Sequence, residues 1–329
     1  MKAVRLHGVR DIRVEEVGPP PSPASAEVTL EVTAAGICGS DLHNFATGQW
    51  ITRAPSVAGH ELTGIVTAIG PGVTHVAPGD HVVVDSRVTC GDCAACCEGL
   101  SQICERLGFL GEVMDGGFAE AATQPARNVL RAPSGVAPRH LAMAEPLAVA
   151  IHAVDRLRAP EGAAILIVGC GAIGALCALV AARRGHPVSV ADRNAARGNR
   201  VADAMGATVA ALGALGPSAP RYAIDATGSP EVIGSLIREL RGGGAIALVG
   251  IGSRDLSFNP TILVEREIAL LGCHAFGDEL PRAAGMLAGL APVLDRLIDA
   301  QIKLDDVPAA YERHVRGAVV GAKTIVAIR

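Results

Sequence analysis

The segment that most constrains this chain of 329 residues is Ile165-Leu166-Ile167-Val168-Gly169-Cys170-Gly171-Ala172-Ile173-Gly174, with an alanine-rich run after it. Four apolar residues read as a buried strand, and the G-x-G-x-x-G turn leads straight into a helix. The first glycine permits the tight turn, the second lets a pyrophosphate approach the backbone, and the third lets helix and strand pack closely. The helix start then offers unpaired amides and a positive dipole end to phosphate. Asp192 ends the next apolar run, where a carboxylate accepts hydrogen bonds from an adenosine ribose and repels a 2'-phosphate. The expected cofactor is therefore NAD rather than NADP, with Arg193 beside the carboxylate as the residue that could relax the preference.

The same grammar of apolar run, glycine turn and helix-like run recurs at Val188 to Val190, Tyr222 to Asp225 and Ala245 to Val249, which implies a parallel sheet flanked by helices. Between Val209 and Tyr222 stand only Ala, Gly, Pro, Ser, Leu and Arg residues, so one crossover helix is expected to be shortened or missing. Residues 1 to about 135 read differently, as short Val-rich strands at Glu27 to Ala34, Gly64 to Ile69, His81 to Val84 and Asn128 to Arg131. That pattern belongs to a barrel or sandwich, so the chain is α/β with a second, β-rich region. Ala163 to Ala182 carries no charge, but its glycine break divides it into strand and helix rather than a membrane span.

Two sets of metal-binding side chains follow. Cys90, Cys93, Cys96 and Cys104 are spaced C-x2-C-x2-C-x7-C, and in a chain of this length without an export signal such crowding favours a metal over disulfides. Four thiolates close tetrahedrally around zinc and leave no open position. The first three also open a ferredoxin motif, but the seven-residue final spacing and the missing Cys-Pro favour zinc. Cys97 is surplus to four ligands. The second set is Cys38, His60 and Glu61, with Glu145 as a further carboxylate. One thiolate, one imidazole and one carboxylate leave a position for substrate, as catalytic zinc requires. Taken singly, a cysteine such as Cys38 on a strand is more often core, Glu61 a surface charge and Glu145 a helix-start carboxylate stabilised by the dipole.

Together these residues resemble the zinc-containing medium-chain alcohol dehydrogenases over essentially the whole chain. Gly59-His60-Glu61-x-x-Gly64, followed by Gly70 and Val73, looks like that family's zinc signature. Glu145-Pro146-Leu147-Ala148-Val149 with His152 looks like its sorbitol and polyol dehydrogenase branch. The resemblance implies a GroES-like β-barrel catalytic domain at residues 1–150 and 275–329 and a Rossmann domain at 151–274. It implies that Cys38 and His60 hold the catalytic zinc with Glu61 or Glu145. Ser40 and His43 match the family's proton relay, and Gly250, Ile251 and Phe276 would flank the nicotinamide. Phe45, Trp50, Phe109 and Phe118 are candidates for the pocket or the core. A homo-oligomer, dimer or tetramer, is also implied.

The expected reaction is hydride transfer between a secondary alcohol, a polyol or vicinal diol, and NAD. Two rivals share these residues: an amino-alcohol or aminocyclitol dehydrogenase, and a zinc- and nucleotide-binding sensor without turnover. A net charge of -4 with only three lysines gives no basic stripe for nucleic acid. Met1 to Arg5 alternates like a strand and lacks a signal peptide's apolar stretch, so a cytoplasmic location is expected.

Overall fold

Alternation of Val with polar residues in the first 145 positions builds antiparallel sheet, and the long Glu27–Gly36 strand is its organiser. In this computed structural model, which describes residues 1–329, a seven-stranded sheet runs Val129–Arg131, His81–Val84, Glu61–Ile69, Glu27–Gly36, Lys323–Ala327, Ile298–Ile302. Ala121–Pro125 also pairs with Glu27–Gly36, and Lys2–Gly8, Asp11–Glu16 and Ser56–Val57 form a smaller sheet. Register places Gly36 opposite both Glu61 and Ile325, so its strand lies between the last strand and the strand that begins at Glu61. These residues form one compact unit, Met1–Glu145 with Leu280–Val319 and Lys323–Arg329.

Its core gathers Val4, Val28, Leu30, Val32, Phe45 and Phe118. The returning helix Val307–Val315 adds Tyr311, whose ring meets Phe45 edge-on at 5.4 Å and Phe118 at 6.4 Å. Such edge-to-face pairs contribute beyond the area they bury. Two of the four aromatic residues offered as pocket candidates are thus core, since Phe45 is 1% exposed and Phe118 0%.

The second unit comprises Pro146–Glu279 with Val320–Ala322. Its six parallel strands run Thr208–Val209, Val188–Ala191, Ile165–Val168, Tyr222–Asp225, Ala245–Leu248, Ala269–Gly272. Numbered along the unit this is 3-2-1-4-5-6, the doubly wound order of dinucleotide-binding folds. Between Val209 and Tyr222 the only regular turn is the short 3-10 segment Gly216–Ser218, so the crossover expected to be shortened has lost its α-helix. No helix is long and apolar enough to cross a membrane.

Candidate metal centres and active site

The four cysteines of the 90–104 segment converge through a one-turn helix, Ala94–Cys97, and a 3-10 turn, Ser101–Ile103. Their sulfurs stand 3.4 Å (Cys104 to Cys90) and 3.9 Å (Cys90 to Cys96, Cys93 to Cys104) apart. A disulfide needs about 2.05 Å. Thiolates around one zinc at about 2.3 Å are separated by the edge of a tetrahedron, about 3.8 Å, so the set fits that ion. The amides of Cys90 and Arg106 donate to Cys104 Sγ at 3.4 and 3.3 Å, which favours a thiolate there. Against the opposing Asp92 side chain, backbone hydrogen bonds from Asp92 and Cys93 and the Cys104 thiol draw Cys90 down to about 6, while burial pushes Cys96 up to about 12. Cys97 lies outside the set, exposed, with its thiol toward Asp92 O.

The second centre is assembled from distant segments. Cys38 is the N-cap of the helix Gly39–Thr47, and its backbone amide is held by the Asp41 carboxylate at 3.1 Å. His60 and Glu61 enter the strand Glu61–Ile69, and their ligand atoms lie within 4.8 Å of one another and of Cys38 Sγ. His60 Nδ1 is 3.0 Å from Asp41 Oδ1, which fixes the ring and leaves Nε2 for a metal. Burial lowers the His60 pKa, but Asp41 and Cys38 outweigh it and raise the value well above that of a free imidazole. A thiolate, an oriented imidazole and a carboxylate in one buried place fit a zinc ion with an open position.

Glu61 is fully buried rather than a surface charge, and the fully buried Lys323 amine forms an ion pair with it while donating to Ile37 O at 2.9 Å. The pair passes directly over Gly36, where a Cβ would lie 1.9 Å from Glu61 Oε2 and 2.7 Å from Lys323 Cε. Glu145, in the first turn of Ala144–Leu157, stands outside the three-residue set and accepts from Ser86 Oγ at 2.6 Å. Burial holds its pKa up at about 7. Asp41, Ser86 and Lys323 carry this site's geometry and were not singled out from sequence. Asp41 sits inside the Gly36-Ile37-Cys38-Gly39-Ser40-Asp41 run, and its spacing from Cys38 is the signal that could have found it.

Ser40 Oγ points at Cys38 Sγ, 3.2 Å away. His43 lies on the helix Gly39–Thr47, with Nε2 2.8 Å from Gln49 Oε1 and its ring 4.8 Å from that of Trp50. Phe109 is half-buried with its ring 6.3 Å from His60.

In the second unit the glycine turn has the expected form. A Cβ on Gly174 would lie 1.7 Å from Gly169 O, and Gly169 itself has φ +92. Only glycine permits that approach and that backbone. Ala172 and Ile173 begin the helix Ala172–Arg183, with Gly171 as its N-cap. Asp192 accepts from the amides of Cys170 and Asn194, both at 2.7 Å, so the carboxylate ties the glycine turn to the end of the second strand. Arg197, not the exposed Arg193, lies against it at 3.6 Å. Gly250 packs against Gly228, and Asp225 fixes that loop through Thr227 and Gly228; Ile251 beyond it is 54% exposed. Phe276 is wholly buried.

A dinucleotide fold joined to a β-rich unit with one closed and one open metal centre defines a metal-dependent dehydrogenase. Residues 24–134 match the alcohol dehydrogenase GroES-like domain. Sorbitol dehydrogenase of Bacillus subtilis (strain 168) is 31% identical over 330 residues, covering 95% of this chain and 93% of its own. L-threonine 3-dehydrogenase of Pyrococcus furiosus is 32% identical over 262 residues, 74% of each chain. A solved zinc-binding dehydrogenase from Sinorhizobium meliloti 1021, bound to NADP, shares the fold with a TM-score of 0.91 at 31% identity, over 99% of this chain and 98% of its own. The chain belongs to the zinc-containing medium-chain alcohol dehydrogenase family, in its sorbitol and polyol dehydrogenase-like branch. It is an oxidoreductase that moves hydride between a secondary alcohol and a nicotinamide dinucleotide.

Proposed function

We propose that the physiological reaction is reversible oxidation of a small polyol or vicinal diol with NAD as acceptor. The observation that carries this is the buried meeting of Cys38, His60 and Glu61 within 4.8 Å. Bound zinc supplies Lewis acidity toward an alcohol oxygen, and bound NAD supplies the hydride acceptor. Cys38, His60 and Glu61 hold the ion in this reading, Asp41 orients His60, and Glu145 borders the open position. Ser40 and His43 carry the hydroxyl proton toward solvent. The 90–104 cluster holds a structural zinc.

Gly169, Gly171, Ala172, Ile173 and Gly174 cradle the pyrophosphate, Asp192 takes the ribose hydroxyls, and Gly250 with Ile251 borders the nicotinamide. The first unit is then the catalytic domain and the second the NAD-binding domain. Preference for NAD rests on Asp192, since a phosphate would meet like charge there. A homo-oligomer, dimer or tetramer, is supported by the edge strand Ala269–Gly272 and the 76% exposed Val264 nearby in sequence. We further propose a cytoplasmic location.

The test follows NADH formation with a panel of diols, polyols and amino alcohols, with NAD and with NADP. Turnover that needs zinc and prefers NAD, with the preference eroded by Asp192→Ser, is expected. A zinc-replete protein that oxidises none of these alcohols would be a sensor rather than an enzyme.

A further inference from the structure

His43 is held by the turn that follows its own helix. Gly48 closes Gly39–Thr47 with φ +72, a left-handed backbone that favours glycine, and its amide donates to Asn44 O at 2.7 Å. The buried Asn44 accepts from the Trp50 amide through Oδ1 at 2.8 Å, Thr47 Oγ1 donates to His43 O at 2.8 Å, and the Gln49 amide donates to Thr47 Oγ1 at 3.2 Å. The chain thereby reverses, and the side chains of Gln49 and Trp50 come back onto the His43 ring.

Their two contacts do different things. Trp50 lies against the imidazole at 4.8 Å between ring centroids, with 37° between the planes, and so restricts the plane of the ring. A half-turn about the Cβ–Cγ bond would keep that plane and exchange the two nitrogens. Gln49 separates these two states, because its Oε1 lies 2.8 Å from Nε2. A carbonyl oxygen can only accept, so Nε2 carries the proton of the neutral ring and Nδ1 is left as the acceptor. No other hydrogen bond of the chain engages either ring nitrogen.

We propose that Gln49 is a positioning residue of the proton relay: its side-chain oxygen holds the resting proton of His43 on Nε2 and presents Nδ1 as the atom that takes the alcohol's hydroxyl proton. The inference rests on the relay reading of His43 and adds the residue that sets its tautomer. In the step itself the lone pair of Nδ1 forms a bond to the proton handed on from Ser40, and Nε2 keeps its own. The imidazolium then returns one proton to water, which restores the neutral ring for the next turnover.

The experiment uses the zinc-loaded enzyme with NAD and the diol or polyol it turns over fastest, in four variants: Gln49→Met, Gln49→Glu, His43→Gln and the double variant His43→Gln with Gln49→Met. Ring-nitrogen NMR of 15N-histidine-labelled protein at about pH 8, above the ordinary imidazole range, identifies the His43 signals by their loss in His43→Gln. The unmodified enzyme is expected to show a protonated Nε2 and a bare Nδ1. Gln49→Met, with zinc content and melting temperature unchanged, should mix the two tautomers and slow single-turnover alcohol oxidation by about three- to tenfold, the scale of one hydrogen bond, with little change in KM. Gln49→Glu, whose carboxylate also accepts from Nε2, should restore both. The double variant should be no slower than His43→Gln, because the two residues act through one ring. A proton found on Nδ1 in the unmodified enzyme overturns the proposal. So does a Gln49→Met rate that stays unchanged while His43→Gln is slow, or an equal Gln49→Met loss with and without His43. A His43→Gln enzyme as fast as its parent removes the relay reading and this one with it, leaving the dehydrogenase reading intact.

Discussion

The closed centre takes all four candidate ligands from residues 90–104, whereas the open one draws its candidates Cys38 from a helix cap and His60 and Glu61 from the start of a strand, with supports from Asp41, Ser86 and Lys323. The first is written in one loop and is partly exposed. The second exists only when the sheet closes, because Glu61 and Lys323 meet across Gly36 from the two strands that flank its own. A loop-coded centre of four like ligands can do little but hold its ion and its loop. A fold-coded centre of unlike ligands keeps a position free for chemistry, at the cost of burying several charges that must balance.

The largest effect that could break this contrast is on turnover. Cys38→Ser should lower kcat/KM by about a thousandfold or more, since Lewis-acid stabilisation is worth several kcal/mol, while the melting temperature changes little. Steady-state kinetics and a thermal melt check both halves. A folded variant that keeps full turnover would remove the open centre from the mechanism.

Lys323→Met tests whether the fold-coded centre is bound into stability. It leaves Glu61 buried without its partner, and breaking such a pair costs about 3–5 kcal/mol. Chemical denaturation should show that loss in the metal-free protein and a smaller one in the zinc-loaded protein, where the cation compensates. Equal losses in both would mean that Glu61 does not face the ion.

Cys90→Ser should act in the opposite sense to Cys38→Ser. Opening a closed thiolate site releases its metal and loosens the surrounding loop, so zinc content should fall by one per chain and protease should cut within residues 90–104. Turnover of the intact fraction should stay within about threefold, because no ligand of the open centre is touched.

The smallest expected effect is a pH dependence confined to the open centre. Burial raises the Glu145 pKa to about 7, so the folded metal-free protein binds this proton more tightly than the unfolded chain does. Its stability contribution is present at low pH and is lost as pH rises from the ordinary carboxylate value near 4.5 through about 7. Denaturation of metal-free protein across that range should show this decline, and Glu145→Gln should flatten it. Parallel profiles would show that Glu145 is not the titrating group.

What could be read from the sequence follows the same division. The cysteine spacing and the glycine turn announced themselves because their partners are near in sequence and their geometry is local. The missing crossover helix was legible too, since Gly, Pro and small residues cannot sustain one. Lys323 and Ser86 were not legible, because only strand register and packing bring a residue near the chain end to Glu61, or Ser86 to Glu145. Taken singly, Glu61 read as a surface charge, and burial with a counter-ion is a property of the fold. The helix that carries His43 was not legible, since its start is set by the Cys38 cap rather than by any run of helix-forming residues. Arg193 drew notice beside Asp192, yet the helix places Arg197 there one turn later.

Elemental analysis of protein purified without added metal tests the central claim most directly. The account predicts two zinc ions per chain, one in each centre, with Cys38→Ser and Cys90→Ser each retaining one. Iron with strong visible absorbance in the cysteine cluster, or a single zinc in a fully active enzyme, would contradict it.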